Sequence, residues 1–232
     1  MSELPSELPR IGLDGITLKA GAHAERSYDA LCSMEAVAWL AGEPHSDHPQ
    51  CTCPIIGALL RSWNDAISDD ETRTRLLKPL LLLVIGTRST RDVELKRSYL
   101  AVDWLAREYA PAFLALRDDL KAHAVALSGL APLTDRQSCK AAQMMLDAAG
   151  KAARAAVVKA ARAAVVKAAG AAAWDAAWDA ARAAAGDAVV KAAGAAAWAA
   201  AGDAAGAALA PTVQALQLSA SNLVRRMVAI HD

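Results

Sequence analysis

Aromatic side chains are scarce in this chain: Phe113 is the only phenylalanine, accompanied by three tyrosines and six tryptophans. With so few large rings, a core has to be built from aliphatic side chains and from the close approach of small ones. Net charge is absent as well, since 25 basic side chains balance 25 acidic ones. The overall field therefore calls for neither nucleic acid nor an anionic membrane surface. The longest strongly apolar run, Leu80 to Ile85, is far short of the ~20 residues that span a bilayer. The opening MSELPSELPR holds acids and prolines without an apolar stretch, so no secretory leader is expected. A cytoplasmic location follows as the expectation, with the four cysteines free or metal-bound rather than bridged.

What is present points to helices. Strand formers are sparse, alanine dominates the second half, and 232 residues suffice to bury a core. The expected fold is all-α, a multi-helix bundle with a short irregular N-terminal arm over residues 1–27. One short strand or hairpin is expected around Gly15. Residues 28–134 read as a helical domain. A helix is predicted from Tyr28 to about Ala41, stopped by Gly42 and Pro44, and another from Pro54 to about Ile67. Ser68-Asp69-Asp70-Glu71 reads as a capping box for a third helix that Pro79 bends or ends. Thr90 or Ser89 caps a helix through Tyr109, and Pro111 opens the next, running to roughly Leu127. Thr134-Asp135-Arg136-Gln137 is a second capping box, starting a helix at Asp135 that runs into the repeat.

Residues 135–210 carry that repeat. From Ala152 to Ala208 every fourth residue is alanine, and the residue after it is Ala, Val or Leu. A four-residue step on a helix advances ~400°, so the alanine row drifts ~40° per repeat and cannot hold the straight seam of a coiled coil. The segment is therefore expected to fold as short packed helices, breaking near Gly170 and between Gly186 and Gly194. Residues 151–167 carry five positive charges and no acid, while 175–203 carry four acids and two bases, so antiparallel packing would bring opposite charges together. Pro211 is predicted to start a last helix over 211–232, closing the bundle with Val213, Leu216, Leu223, Met227 and Ile230.

Chemistry concentrates in one loop. Cys32, His45, His48, Cys51 and Cys53 supply enough thiolate and imidazole for a tetrahedral zinc site, although the paired CxxC knuckles that mark a structural zinc are missing. The bland alternative places Cys32 in the core and leaves the histidines as loop polars. A further reading makes Cys51 or Cys53 a nucleophile, its pKa lowered at the start of the helix opened by Pro54, with His48 as base. No glycine pattern for an oxyanion hole accompanies it. Lys151, Arg154, Lys159, Arg162 and Lys167 lack the aromatic platform or phosphate loop that nucleic-acid binding needs. Trp174, Trp178 and Trp198 are bulky pegs in a small-residue segment, serving either a core or a partner-binding face. Ice-binding helices space threonine regularly, and no threonine lies between Thr134 and Thr212.

The stretches ITLKAGAH and CSMEAVAWLAGEPHSDHPQCTCPIIGALLRSWND resemble a group of uncharacterised bacterial and bacteriophage proteins, with similarity through about Leu116. The shared pattern is a Cys-x-Met-Glu-Ala-Val-Ala helix, a Gly-Glu-Pro turn and an Asp-His-Pro-x-Cys loop, and some members carry alanine-tetrad tails. The resemblance implies no activity. It singles out Cys32, Glu35, Glu43, Asp47, His48 and Cys51, with His23 as an outlying candidate.

No complete catalytic constellation is visible. The leading expectation is a non-enzymatic helical interaction or self-assembly protein, phage- or mobile-element-associated, with no cofactor or with zinc. Its partner would be another protein or a second copy, not nucleic acid or membrane. The alternatives are a zinc- or cysteine-dependent enzyme centred on Cys32, His48 and Cys51, and a phage regulator that binds a host protein.

Overall fold

The computed structural model describes residues 13–24, 27, 30–159 and 206–231. The helix breaks expected near Gly170 and Gly186 to Gly194, and Trp174, Trp178 and Trp198, lie outside these residues. Among the described residues the chain is all-α and has no strand. Its only β features are isolated bridges, Leu18 to Leu31 and Ser27 to Ala30.

The helices are α1 (Ser33–Leu40), α2 (Pro54–Ala66), α3 (Asp70–Leu81), α4 (Arg91–Trp104), α5 (Ala110–Leu114), α6 (Lys121–Ser128), α7 (Arg136–Lys159) and α8 (Gly206–Val228). Helix α1 starts later than its apolar spacing predicts because Cys32 caps it. The Glu35 amide points at Cys32 Sγ at 3.4 Å, and the Glu35 carboxylate returns to the Cys32 amide at 2.7 Å, a capping box built on a thiol. Its end is where Gly42 predicts. With φ at +73°, Gly42 donates to the Trp39 carbonyl at 3.0 Å and Glu43 donates to that of Ala38 at 2.8 Å, closing a Schellman turn.

Both predicted caps sit one residue further on, at Asp135 as a reciprocal capping box with Ser138 and at Asp69 as a single side-chain cap. Asp69 takes the Thr72 amide at 2.7 Å, and Asp135 takes that of Ser138 at 2.7 Å, because a carboxylate is the stronger acceptor at a helix N-terminus. Pro79 does not end α3, which continues to Leu81 and a 3-10 turn over Leu82–Val84. Pro111 does not open a new helix either. A π turn over Leu105–Tyr109 joins α4 directly to α5, absorbing a proline that has no N–H to donate and would crowd the carbonyl one turn back. The run breaks later, at 115–120, ahead of α6. Helix α8 begins at Gly206, five residues ahead of the predicted start, with Pro211 inside it.

The expected hairpin around Gly15 is a single 3-10 turn, Leu13–Gly15. The arm beyond it is part of the body: Ile16 and Leu18 are buried, the Leu18 amide donates to Thr74 Oγ1 at 2.9 Å and that of Lys19 to the Leu31 carbonyl at 2.9 Å. Helix α8 packs on α3, α4 and α5, burying Leu216, Ala220, Leu223, Val224 and Met227, while Val213 and Ile230 of the predicted stripe are only partly buried. Helix α7 lies mainly along α6, burying Cys139, Ala142, Leu146, Ala149 and Ala153.

Two buried arginines hold the ends of helices. Arg73 donates through Nε to the Asn64 carbonyl at 2.7 Å, through Nη2 to that of Ile67 and through Nη1 to Asp70, joining the end of α2 to the start of α3. Arg97 donates through Nε to the Met227 carbonyl at 2.8 Å, through Nη2 to that of Ile230 at 2.8 Å and through Nη1 to that of Thr87 at 2.5 Å. Arg97 thereby ties α4 to the C-terminal end of α8 and the turn beyond it, where the Met227 carbonyl also accepts the Ile230 amide at 3.2 Å.

Candidate functional site

The loop between α1 and α2 is closed by one carboxylate. Glu43 accepts the amides of Gln50 and Cys51 at 2.6 Å each, which folds the GEPHSDHPQC segment back on itself. Its far end is tied to the turn after α3: the Cys53 amide donates to Thr87 Oγ1 at 3.0 Å, Thr52 Oγ1 to the Val84 carbonyl at 3.3 Å, and the Arg88 amide to the Cys51 carbonyl at 3.0 Å. At the tip, His48 Nδ1 is 2.6 Å from Asp47, whose carbonyl accepts from Arg61 at 2.9 Å.

Beneath the loop lies a second network, centred on Glu35. This carboxylate is 1 % exposed and accepts the His23 amide at 2.6 Å, the Cys32 amide at 2.7 Å and the His23 ring at 2.8 Å. His45 Nε2 donates to the His23 carbonyl at 2.8 Å and lies 3.8 Å from Glu35, while His45 Nδ1 is buried with no hydrogen-bond partner. One side chain thus joins the arm, α1 and the loop. Burial alone would raise the Glu35 carboxyl, but the amides of His23 and Cys32 and the His23 ring outweigh it and hold it below the usual carboxylate range.

The five sequence candidates for a zinc site are divided among these networks. Cys32 is buried at the start of α1, Cys53 is buried at the start of α2, and Cys51 sits against Glu43. His45 belongs to the Glu35 cluster, and His48 is 65 % exposed on Asp47. Among the described residues no group of three or more His, Cys, Asp or Glu side chains could hold a metal ion. Glu35 and Glu43 are both engaged by backbone amides, and the thiols of Cys32, Cys51 and Cys53 lie in separate places.

The nucleophile reading meets the opposite of what the helix start suggested. Burial, together with the charge on Glu43, pushes the Cys51 thiol up rather than down. Burial also pushes Cys32 up to about 12, with Glu35 adding to the effect. All four cysteines are free thiols. In the His23–Glu35 pair a carboxylate orients an imidazole, as acid–base chemistry requires, yet the thiol beside it stays protonated.

No family model, no curated protein and no solved structure matches the chain.

The residues singled out by the resemblance all have places in this arrangement. Cys32 and Glu35 form the cap of α1, Glu43 receives the Cys51 amide, and Asp47 pairs with His48. Sequence spacing missed Arg73, Arg97 and Arg107 altogether. An arginine at a helical position reads as a solvated face, and only the packed fold shows which ones are buried.

Proposed function

We propose that this chain is a non-enzymatic helical protein that associates with a second copy of itself through the alanine-tetrad segment. The observation that supports the reading is how the segment is attached. Helix α7 runs from the body across Gly150 into the first tetrads, with Ala149 and Ala153 buried, and α8 resumes at Gly206 with Leu209 buried. Both ends of the repeat are anchored in the same body. Small residues favour close helix contact, and the basic stretch 151–167 complements the acidic one over 175–203. The Cys51 thiol is raised by burial and by Glu43, and that of Cys32 by burial, which argues against a cysteine-dependent reading on these two.

Light scattering on the full-length protein across a concentration series tests this. The expected result is a dimer or higher species, reduced to monomer when Lys159, Arg162 and Lys167 are all replaced by glutamate. A monomer at every concentration would sink the reading. Truncation near Gly150 is not a suitable comparison, because it removes α8 and the carbonyls that hold Arg97.

A further inference from the structure

The largest unassigned chemistry outside the loop lies in a cavity of about 350 Å³ between α4, the π turn, the 132–134 segment and the end of α8. That volume is within the ~300–1,000 Å³ range of small-molecule sites. Its walls are apolar, from Tyr99, Leu100, Leu133 and Ile230, and three cations line it: Lys96, Arg107 and Arg226. Asp103 is the one carboxylate in the lining, and it is occupied. It accepts the Leu133 amide at 2.8 Å and Arg107 Nη1 at 3.0 and 3.2 Å. Arg226 reaches Glu108 only at 3.4 Å.

Arg107 is the informative residue. It sits within the π turn and is held through Nη1 alone, and its Nε is buried with no hydrogen-bond partner. A buried guanidinium N–H without an acceptor is costly, and Nη2, for which the described residues supply no acceptor, is left to make a charge-assisted bond to an anion. π turns are often found at functional sites.

We infer that this cavity binds a small carboxylate with an apolar body, its headgroup among Lys96, Arg107 and Arg226 and its body against Leu100, Leu133 and Ile230. The single Asp103 leaves the lining net positive, so an anion is favoured over a neutral or cationic ligand.

Calorimetric titration of the full-length protein with octanoate, with 1-octanol and inorganic phosphate as comparators, tests the inference. Octanoate is expected to bind, and octanol and phosphate each at least about tenfold more weakly, as expected for losing either the charge-assisted bonds or the apolar contact. Arg107→Lys keeps the charge near Asp103 but removes the free Nη2 donor, and is expected to weaken octanoate about tenfold. Leu100→Trp, at a partly exposed position, fills the cavity without touching the cations and is expected to abolish binding, which keeps the test decisive if Arg107→Lys does not fold. Absence of octanoate binding at millimolar concentration overturns the inference. So does octanol or phosphate matching octanoate, or unchanged octanoate affinity in either folded variant.

Discussion

Arg97 and Arg107 lie on one helical run and meet opposite fates. Arg97 gives Nε, Nη1 and Nη2 to three carbonyls, two of them at the end of α8, and is 2 % exposed. Arg107, beyond the π turn's start, gives one nitrogen to Asp103 and lines a cavity. The same side chain is a structural clasp where the chain supplies acceptors and keeps donors free where it does not. Arg73 belongs with Arg97: it too joins two helix ends, and like Arg97 it has nothing left to offer a ligand.

The largest effect that would break this contrast is loss of the α8 clasp. Arg97→Met is expected to cost about 3–5 kcal/mol in urea unfolding, because the carbonyls of Thr87 and Ile230 lose their side-chain donor and that of Met227 keeps only the Ile230 amide. Arg107→Met should cost about 1 kcal/mol or less, since Arg107 is 27 % exposed and holds a single partner. If the two variants prove equally damaging, the division between clasp and receptor fails.

Next in size is the Glu35 network. Glu35→Gln should cost about 2 kcal/mol, because the amides of His23 and Cys32 and the His23 ring lose a charged acceptor. Backbone hydrogen exchange over residues 16–24 should rise with it. A wild-type exchange pattern would show that the arm is held by Ile16 and Leu18 alone.

Acid should act on the same group. The folded pKa of Glu35 is lowered, so its stabilising contribution is complete above the unfolded value of about 4.5 and is lost as pH falls through the lower folded value. Stability measured from pH 6 down to pH 2 should therefore fall less steeply in Glu35→Gln than in the wild type. Parallel profiles would remove Glu35 from the acid response.

The smallest effect is expected at the loop tip. His48→Ala should change stability by no more than about 0.5 kcal/mol, because the pair with Asp47 is largely solvated. Thermal melting with and without zinc should be the same in this variant as in the wild type. A zinc-dependent rise in melting temperature that His48→Ala abolishes would restore the metal reading.

Much of the helical architecture was readable in advance, and for local reasons. Gly42 at positive φ, Pro54 at a first helical position and Thr90 as a cap act over three or four residues, so they stand where their chemistry put them. The errors share one cause. Pro79 is expected to bend or end its helix, and Pro111 and Pro211 to open theirs, yet each lies inside helix, beside a 3-10 or π turn in the first two cases. Packing of Leu80, Leu81, Phe113 and Leu114 outweighs one missing hydrogen bond. Spacing places the candidate residues in and around one loop, but it could not say that Glu35 and Glu43 would take the surrounding amides and leave the thiols apart.

Sequence alone determined the all-α class, the helix caps and the four-residue drift that denies the repeat a straight seam, because these follow from backbone geometry over a few residues. Tertiary structure decided which charges are enclosed. Whether a guanidinium meets carbonyls, as Arg97 does across 133 residues to Ile230, or meets a cavity, as Arg107 does, depends on chain segments far apart in sequence. Burial is a property of that packing, and burial is what turns an ordinary arginine into a clasp or a site.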